Sequence, residues 1–211
     1  TSDPNNMEPG VRNTLLGIVA FISVMLGLLL ASVLIPRPMS AEDAAKIGYY
    51  RFDEPRLISG FVMTDHLGRP AELSNLKGGW SLLFFGFTTC PDVCPTTLSV
   101  LNDAISALDD PPTVVMVSVD PDRDTPERLA QYVPAFNPNF IGYTGTFEET
   151  VKLAAQLNIA FGKVPGRVPG SYLVDHSASL VLIDPDGRYA GFIKAPHNSS
   201  SIQRVIRGLS L

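Results

Sequence analysis

Cysteine is scarce: the chain of 211 residues holds two, Cys90 and Cys94. Two are too few for a disulfide-rich secreted scaffold. No block of Lys and Arg appears either, and with a net charge of −5 the footprint of a nucleic-acid binder is missing. The mild acidic excess bears on solubility rather than on a partner. Internal repeats and low-complexity tracts are absent, which excludes repeat architectures. What the chain does have is apolar residues, 45% of the total, enough for a sizeable core.

These apolar residues are unevenly spread. From Asn13 to Ile35 the sequence NTLLGIVAFISVMLGLLLASVLI runs for 23 residues without a charge. Roughly 20 apolar residues in a helix cross the hydrocarbon core of a bilayer. The apolar region of a cleavable signal peptide is shorter, about 7–15 residues, so an uncleaved anchor over 13–36 is the expectation. Arg12 and Arg37 bracket the run and can reach the two interfaces. Arg37, Lys46, Arg51 and Arg56 follow it, which by charge count alone would hold the carboxyl side in the cytoplasm. Long domains translocate largely regardless of such charge, so the expected orientation is a short tail, 1–12, inside and the large domain outside. Thr1 in place of Met leaves residues 1–6 open to being processed or added. No Arg-rich amphipathic segment precedes the anchor, which favours a bacterial membrane.

Residues 37–56 read as a tether, and a folded domain is expected over 57–211. GFVMTDHLGRPAEL predicts a hairpin around His-Leu-Gly, and WSLLFFGF a strand buried on both faces. In TTLSVLNDAISAL, Leu98, Leu101, Ile105 and Leu108 fall at helical spacing. TVVMVSVD is a second buried strand, and TPERLAQYVPAF a helix capped by Thr125 with Pro126 at its first position. A strand at FIGYTG, a helix in EETVKLAAQLNIA, a hairpin turning at Asp-Pro-Asp-Gly and a helix in SSSIQRVIRGL complete the order. Strand–helix–strand units with a late hairpin predict an α/β fold, a mixed sheet covered by helices. That is the thioredoxin-like plan, in which a dithiol lies between the first central strand and its helix.

Both cysteines fall in that position, within FTTCPDVCPT. Three readings compete: a structural disulfide, a redox couple, and two ligands for a soft metal. A disulfide closing so short a loop adds little stability through chain entropy. A helix amino terminus favours thiolate over thiol. Pro91 and Pro95 are expected to stiffen the loop and leave both thiols exposed. One helical turn apart, the sulfurs can point the same way, and a metal would then need a third ligand from elsewhere. Of three histidines, His66 and His197 read as solvated turn residues, whereas His176 precedes the strand that opens the late hairpin. Two thiolates and an imidazole suit copper, above all Cu(I), and would also accept zinc; they argue against calcium, magnesium or manganese. In SVDPDRDTPE, Asp120, Asp122 and Asp124 read as strand end, turn and helix cap rather than as metal ligands. Asp120, at the carboxyl end of a central strand, and Asp92, between the cysteines, are candidates for supporting the site.

FFGFTTCPDVCPTTL, SVDPDRDTPE and DHSASLVLIDPDG, in this order behind an apolar anchor, resemble the Sco/SenC family. The resemblance implies a thioredoxin-like copper protein that helps assemble the binuclear copper (CuA) centre of cytochrome c oxidase. It carries the copper ligands over to Cys90, Cys94 and His176, and Thr89 stands where many members have a histidine that is not a ligand. It also implies a bacterial inner-membrane protein, single-pass, with its soluble domain on the periplasmic side. The partners implied are the CuA-bearing oxidase subunit, other copper carriers and the lipid around the anchor.

The preferred expectation is therefore a metallochaperone, not an enzyme in the strict sense, binding Cu(I) and also Cu(II). A thiol–disulfide oxidoreductase using Cys90 and Cys94 to keep acceptor cysteines reduced is the alternative. VCPT around Cys94 also resembles the peroxiredoxin active-site segment, which gives a third reading as a thiol peroxidase.

Overall fold

The computed structural model describes residues 9–34, 39–166 and 171–209. Contacts divide the chain into two units, one with the amino-terminal helix and one spanning Met39–Ser210. Helix α1 (Pro9–Leu34) has 26 residues, and its stretch Gly10–Ser32 is long and apolar enough to cross a membrane. The anchor expected over 13–36 falls on it up to Leu34, and residues 35–36 lie outside the described residues. The helix begins earlier than expected and takes in Arg12.

The second unit opens with α2 (Ala41–Lys46), capped by the Ser40 hydroxyl, which accepts from the Asp43 N–H. Among the described residues ten strands follow in chain order: β1 (Tyr49–Arg56), β2 (Val62–Asp65), β3 (Pro70–Glu72), β4 (Ser81–Gly86), β5 (Thr113–Ser118), β6 (Ile141–Thr144), β7 (Phe161–Pro165), β8 (Tyr172–His176), β9 (Leu180–Ile183) and β10 (Tyr189–Ile193). Eight form one mixed sheet in the order β1-β10-β9-β4-β5-β6-β2-β3, with β4, β5 and β6 parallel. β4 is buried at every residue, as its unbroken apolar sequence requires between helix-covered faces. Helix α3 (Val93–Ile105) turns Cys94, Thr97, Leu98, Leu101, Ala104 and Ile105 inward at helical spacing. Helix α4 (Pro126–Tyr132) lies close on β6, because a Cβ at Gly142 would come 3.1 Å from Leu129 Cβ. Helices α5 (Phe147–Gln156) and α6 (Ser199–Leu209) complete the layers, α6 burying Ile202, Val205 and Ile206.

Two corrections concern the sheet. Residues 49–56, expected to be tether, are strand β1, paired antiparallel with β10 from Tyr49↔Ile193 to Arg56↔Tyr189 with an irregularity between. Tyr49 is buried there, so the folded unit begins well before Leu57. Strands β7 and β8 were not anticipated at all; they pair only with each other, as a separate two-stranded sheet.

The two predicted hairpins share one local device. Asp65 Oδ1 accepts from the N–H groups of Leu67 and Arg69, each at 2.9 Å, while Oδ2 accepts from Arg69 Nε at 2.7 Å. Asp184 does the same with Asp186 (3.1 Å), Arg188 N–H (2.8 Å) and Arg188 Nε (2.8 Å). Gly68 and Gly187 supply the positive φ, +79° and +82°, that each turn needs.

Candidate metal centre

The centre forms where β4 ends. Beyond Gly86 the chain turns through Phe87 and Thr88 to Cys90, whose N–H donates to the Phe87 carbonyl at 3.2 Å. α3 then starts at Val93, so Cys94 lies in its first turn, where backbone N–H groups have no partner inside the helix. One of them, the Cys94 N–H, donates to Cys90 Sγ at 3.4 Å. The third group arrives at the end of β8, where His176 Nε2 lies 3.4 Å from Cys94 Sγ. The Cys90, Cys94 and His176 donor atoms all fall within 4.8 Å of one another.

These distances fit a metal. Donors about 2.3 Å from a common first-row ion stand at most about 4.6 Å apart, so only a slight contraction is required. Two sulfurs and an imidazole nitrogen form a soft set. Among the described residues no other group of three or more His, Cys, Asp or Glu is so arranged. His176 Nδ1 lies 3.3 Å from the Ser177 carbonyl. With a metal bound, a proton on Nδ1 would satisfy that contact and leave the Nε2 lone pair for the ion, whereas in the metal-free pair an Nε2–H faces the sulfurs. The edges of Phe84 and Phe87 meet the imidazole at centroid distances of 6.0 and 5.9 Å and hold it on two sides.

The loop does not expose both thiols as expected. Cys90 is half-buried, and Cys94 is wholly buried beneath it. Bare Gly86 makes this possible: a Cβ there would lie 3.0 Å from Cys94 Sγ and 2.7 Å from Phe84 Cε1. A hydrogen bond from the Cys94 thiol is the main cause that brings the Cys90 thiol down to about 4. His176 and the N–H groups of Asp92 and Cys94 help, against burial. The same bond, then burial, pushes the Cys94 thiol up. The resting pair is one thiolate held by one thiol.

The SCO1/SenC family model matches residues 51–210. The chain belongs to the SCO1/SenC family. It is 34% identical over 171 residues to human "Protein SCO1 homolog, mitochondrial", covering 79% of this chain and 57% of that protein. It thus spans little more than half the length of that relative. Among solved structures, Arabidopsis thaliana ScoI with copper bound is 33% identical with a TM-score of 0.68, over 72% of this chain and 97% of that one. Bradyrhizobium japonicum ScoI with copper bound is likewise 33% identical, with a TM-score of 0.65 over 72% and 98%. The mixed sheet flanked by helices is the thioredoxin-like fold of these proteins.

The three residues expected as ligands come together, and the two expected supports, Asp92 and Asp120, act at one remove. Asp92 is exposed and reaches Cys90 through its backbone N–H. Asp120 is fully buried, paired with Arg123 and accepting from the Tyr172 hydroxyl at 2.8 Å. Asp122 is a surface partner of Lys163 at 2.6 Å. Asp124 is not a cap: fully buried, it accepts from Thr88 N–H (3.0 Å), Thr88 Oγ1 (2.6 Å) and Ser118 Oγ (2.7 Å). Thr125 is the cap of α4. His66 and His197 are partly buried and hydrogen-bonded rather than freely solvated. His66 Nδ1 accepts from Gly142 N–H at 3.2 Å, and His197 Nε2 meets the Ala178 carbonyl at 2.6 Å. Burial pulls the His197 pKa down, in keeping with a neutral ring that donates there. The role of Asp124 had a sequence signal in its place just after a buried strand; those of Thr88, Ser118 and Tyr172 had none.

Proposed function

We propose that this protein is a membrane-anchored copper carrier that holds copper through Cys90, Cys94 and His176 and passes it to the CuA site of cytochrome c oxidase. The observation that carries the reading is the convergence of two sulfurs and one imidazole nitrogen within 4.8 Å at the carboxyl end of a buried strand. The copper-bound Arabidopsis and Bradyrhizobium structures support it, being alike in fold and near in sequence. A three-donor site leaves an ion open to an incoming thiolate, so ligands can exchange one at a time without a change in oxidation state. Each thiolate that this chain gives up is then free to take a proton. α1 would keep carrier and acceptor in one bacterial inner membrane and raise their effective concentration. The soluble domain would face the periplasm.

The test is an anaerobic titration of the reduced full chain, in detergent micelles, with cuprous ion against a competing chelator and separately with cupric ion. One copper per chain is expected, tight binding disappears in Cys90→Ala and Cys94→Ala, and His176→Ala binds more weakly with altered cupric absorption. A His176→Ala protein indistinguishable from wild type would overturn the ligand assignment.

The lowered Cys90 thiol favours a second reading, a dithiol that reduces an acceptor disulfide. Cys90 thiolate would attack one acceptor sulfur, and Cys94 would resolve the mixed disulfide. Two electrons and the Cys94 proton then pass to the acceptor, whose second thiolate takes its proton from solvent, and this chain is left as the disulfide. A Cys94→Ser variant that traps no acceptor removes that role. A peroxidase centred on Cys94 is disfavoured, because that sulfur is buried and its pKa is raised.

A further inference from the structure

β8 carries His176 at one end and Tyr172 at the other. Tyr172, Val174 and His176 alternate with exposed Leu173 and Asp175, so the three share the inward face of the strand. Four residue steps of strand separate the two ends by about 13 Å. Because β8 pairs with β7 alone, the ladder of the large sheet does not fix where His176 lies. Phe84 and Phe87 flank the ring, but the strand that carries it must be set from elsewhere.

The far end of the strand is clamped. The Tyr172 hydroxyl donates to buried Asp120 at 2.8 Å, and Arg123, paired with the same Asp120, donates through Nη1 to the Tyr172 carbonyl at 3.2 Å. The ring also lies between two cations, 3.9 Å from the Arg123 guanidinium and 4.6 Å from Lys163 Nζ. Lys163, on β7, is itself paired with Asp122. Asp120, Asp122 and Arg123 belong to the one loop between β5 and α4. Asp124 of that loop binds Thr88, two residues ahead of Cys90. A single short loop therefore grips the cysteine side of the centre with one residue, the histidine strand with two, and its partner strand β7 with a third.

We propose that Tyr172 is a positioning residue: held by Asp120 and Arg123, it sets the strand that brings His176 over the cysteine pair. The proposal rests on His176 being a copper ligand. Loosening Tyr172 then removes the imidazole from the metal while the two sulfurs stay in place. Partners outside a ligand shell are typically worth about 10–100-fold in metal affinity.

The experiment uses the full chain in detergent micelles, loaded with cupric ion, and reads electron paramagnetic resonance and affinity. Tyr172→Ala is expected to lose the imidazole nitrogen hyperfine coupling and roughly tenfold in cupric affinity. Introduced into His176→Ala, the same change should cost nothing more. Wild-type coupling and affinity in Tyr172→Ala overturn the proposal, as does an equal loss in the His176→Ala background. Should the alanine variant fail to fold, Tyr172→Phe and Arg123→Lys decide on the same readouts. Tyr172→Phe keeps the ring between its cations and loses only the bond to Asp120. Wild-type behaviour of both overturns the proposal. A His176→Ala protein that matches wild type is a different failure, that of the ligand assignment itself.

Discussion

Cys90 and Cys94 are the same residue type one turn apart, yet a proton between them favours opposite charge states. Cys94, buried against Gly86, keeps its hydrogen and donates it; Cys90, partly buried above the helix start, receives it as a thiolate with its pKa down to about 4. An ordinary thiol, with pKa about 8.5, would be under about 1% ionised at pH 6. Metal-free Cys90 should therefore be almost fully ionised at pH 6, with its alkylation by iodoacetamide nearly level from pH 6 to 8. Cys94 should stay unmodified until the protein unfolds. Mass mapping after brief labelling checks both, and a tenfold rise per pH unit at Cys90 would contradict the lowered pKa. His176 was reached through the family resemblance, but the placing of Cys90 and Cys94 in one site was legible because two rare residues stood four apart in a strand-to-helix loop. The burial of Cys94 was not, since it depends on a glycine eight residues earlier whose missing Cβ is a matter of packing. Asp124 was marked only by its place after a buried strand and Tyr172 not at all, because their partners lie 36 and 52 residues away, where no local spacing signals them.

At the scale of elements, periodicity foretold the buried strands and the amphipathic helices, because each buries a face that its own sequence marks. It failed at the edges. Strand β1 alternates poorly, with a burial pattern of mostly exposed residues around buried Tyr49, and Pro55 lies within it. Such a strand is made by its partner, β10, and edge positions are where proline is tolerated. The β7–β8 hairpin was missed for the same reason, having few inward residues to give a pattern. The corrected boundary has a measurable consequence. A soluble fragment spanning 39–211 should fold, whereas one beginning at residue 57 strips β10 of its neighbour and uncovers Tyr189, which Phe52 meets edge-on at 4.8 Å. Losing the burial of Tyr49 and the Phe52 contacts costs about 3 kcal/mol or more. The newly bare edge of β10 invites pairing between chains. Denaturant titration and size-exclusion chromatography should show a less stable, self-associating shorter fragment. Equal midpoints and two monomers would return residues 49–56 to the role of tether.

For the whole molecule the question is which side of a membrane the centre faces. α1 is long enough to span, with Arg12 as its one described charge, while Lys46, Arg51 and Arg56 belong to the folded unit that follows. Those cations would favour a cytoplasmic domain if they lay in a short loop. They do not: Lys46 is tied to Glu42 and Asp43 at 3.0 and 3.1 Å, and Arg51 and Arg56 are part of a strand in a sheet. Charges in a large domain weigh little on orientation, because such a domain is translocated largely regardless of them. A carrier for an acceptor on the outer face must put Cys90 on that face. In spheroplasts expressing the full chain, a membrane-impermeant maleimide should therefore label Cys90 before lysis, and Cys90→Ala should abolish the signal. Partly buried but ionised, Cys90 is the thiol such a reagent is expected to reach, whereas fully buried Cys94 gives no background. Labelling that appears only after lysis would put the dithiol in the cytoplasm, out of reach of an outer-face acceptor, and the delivery reading would fall even with the copper site intact.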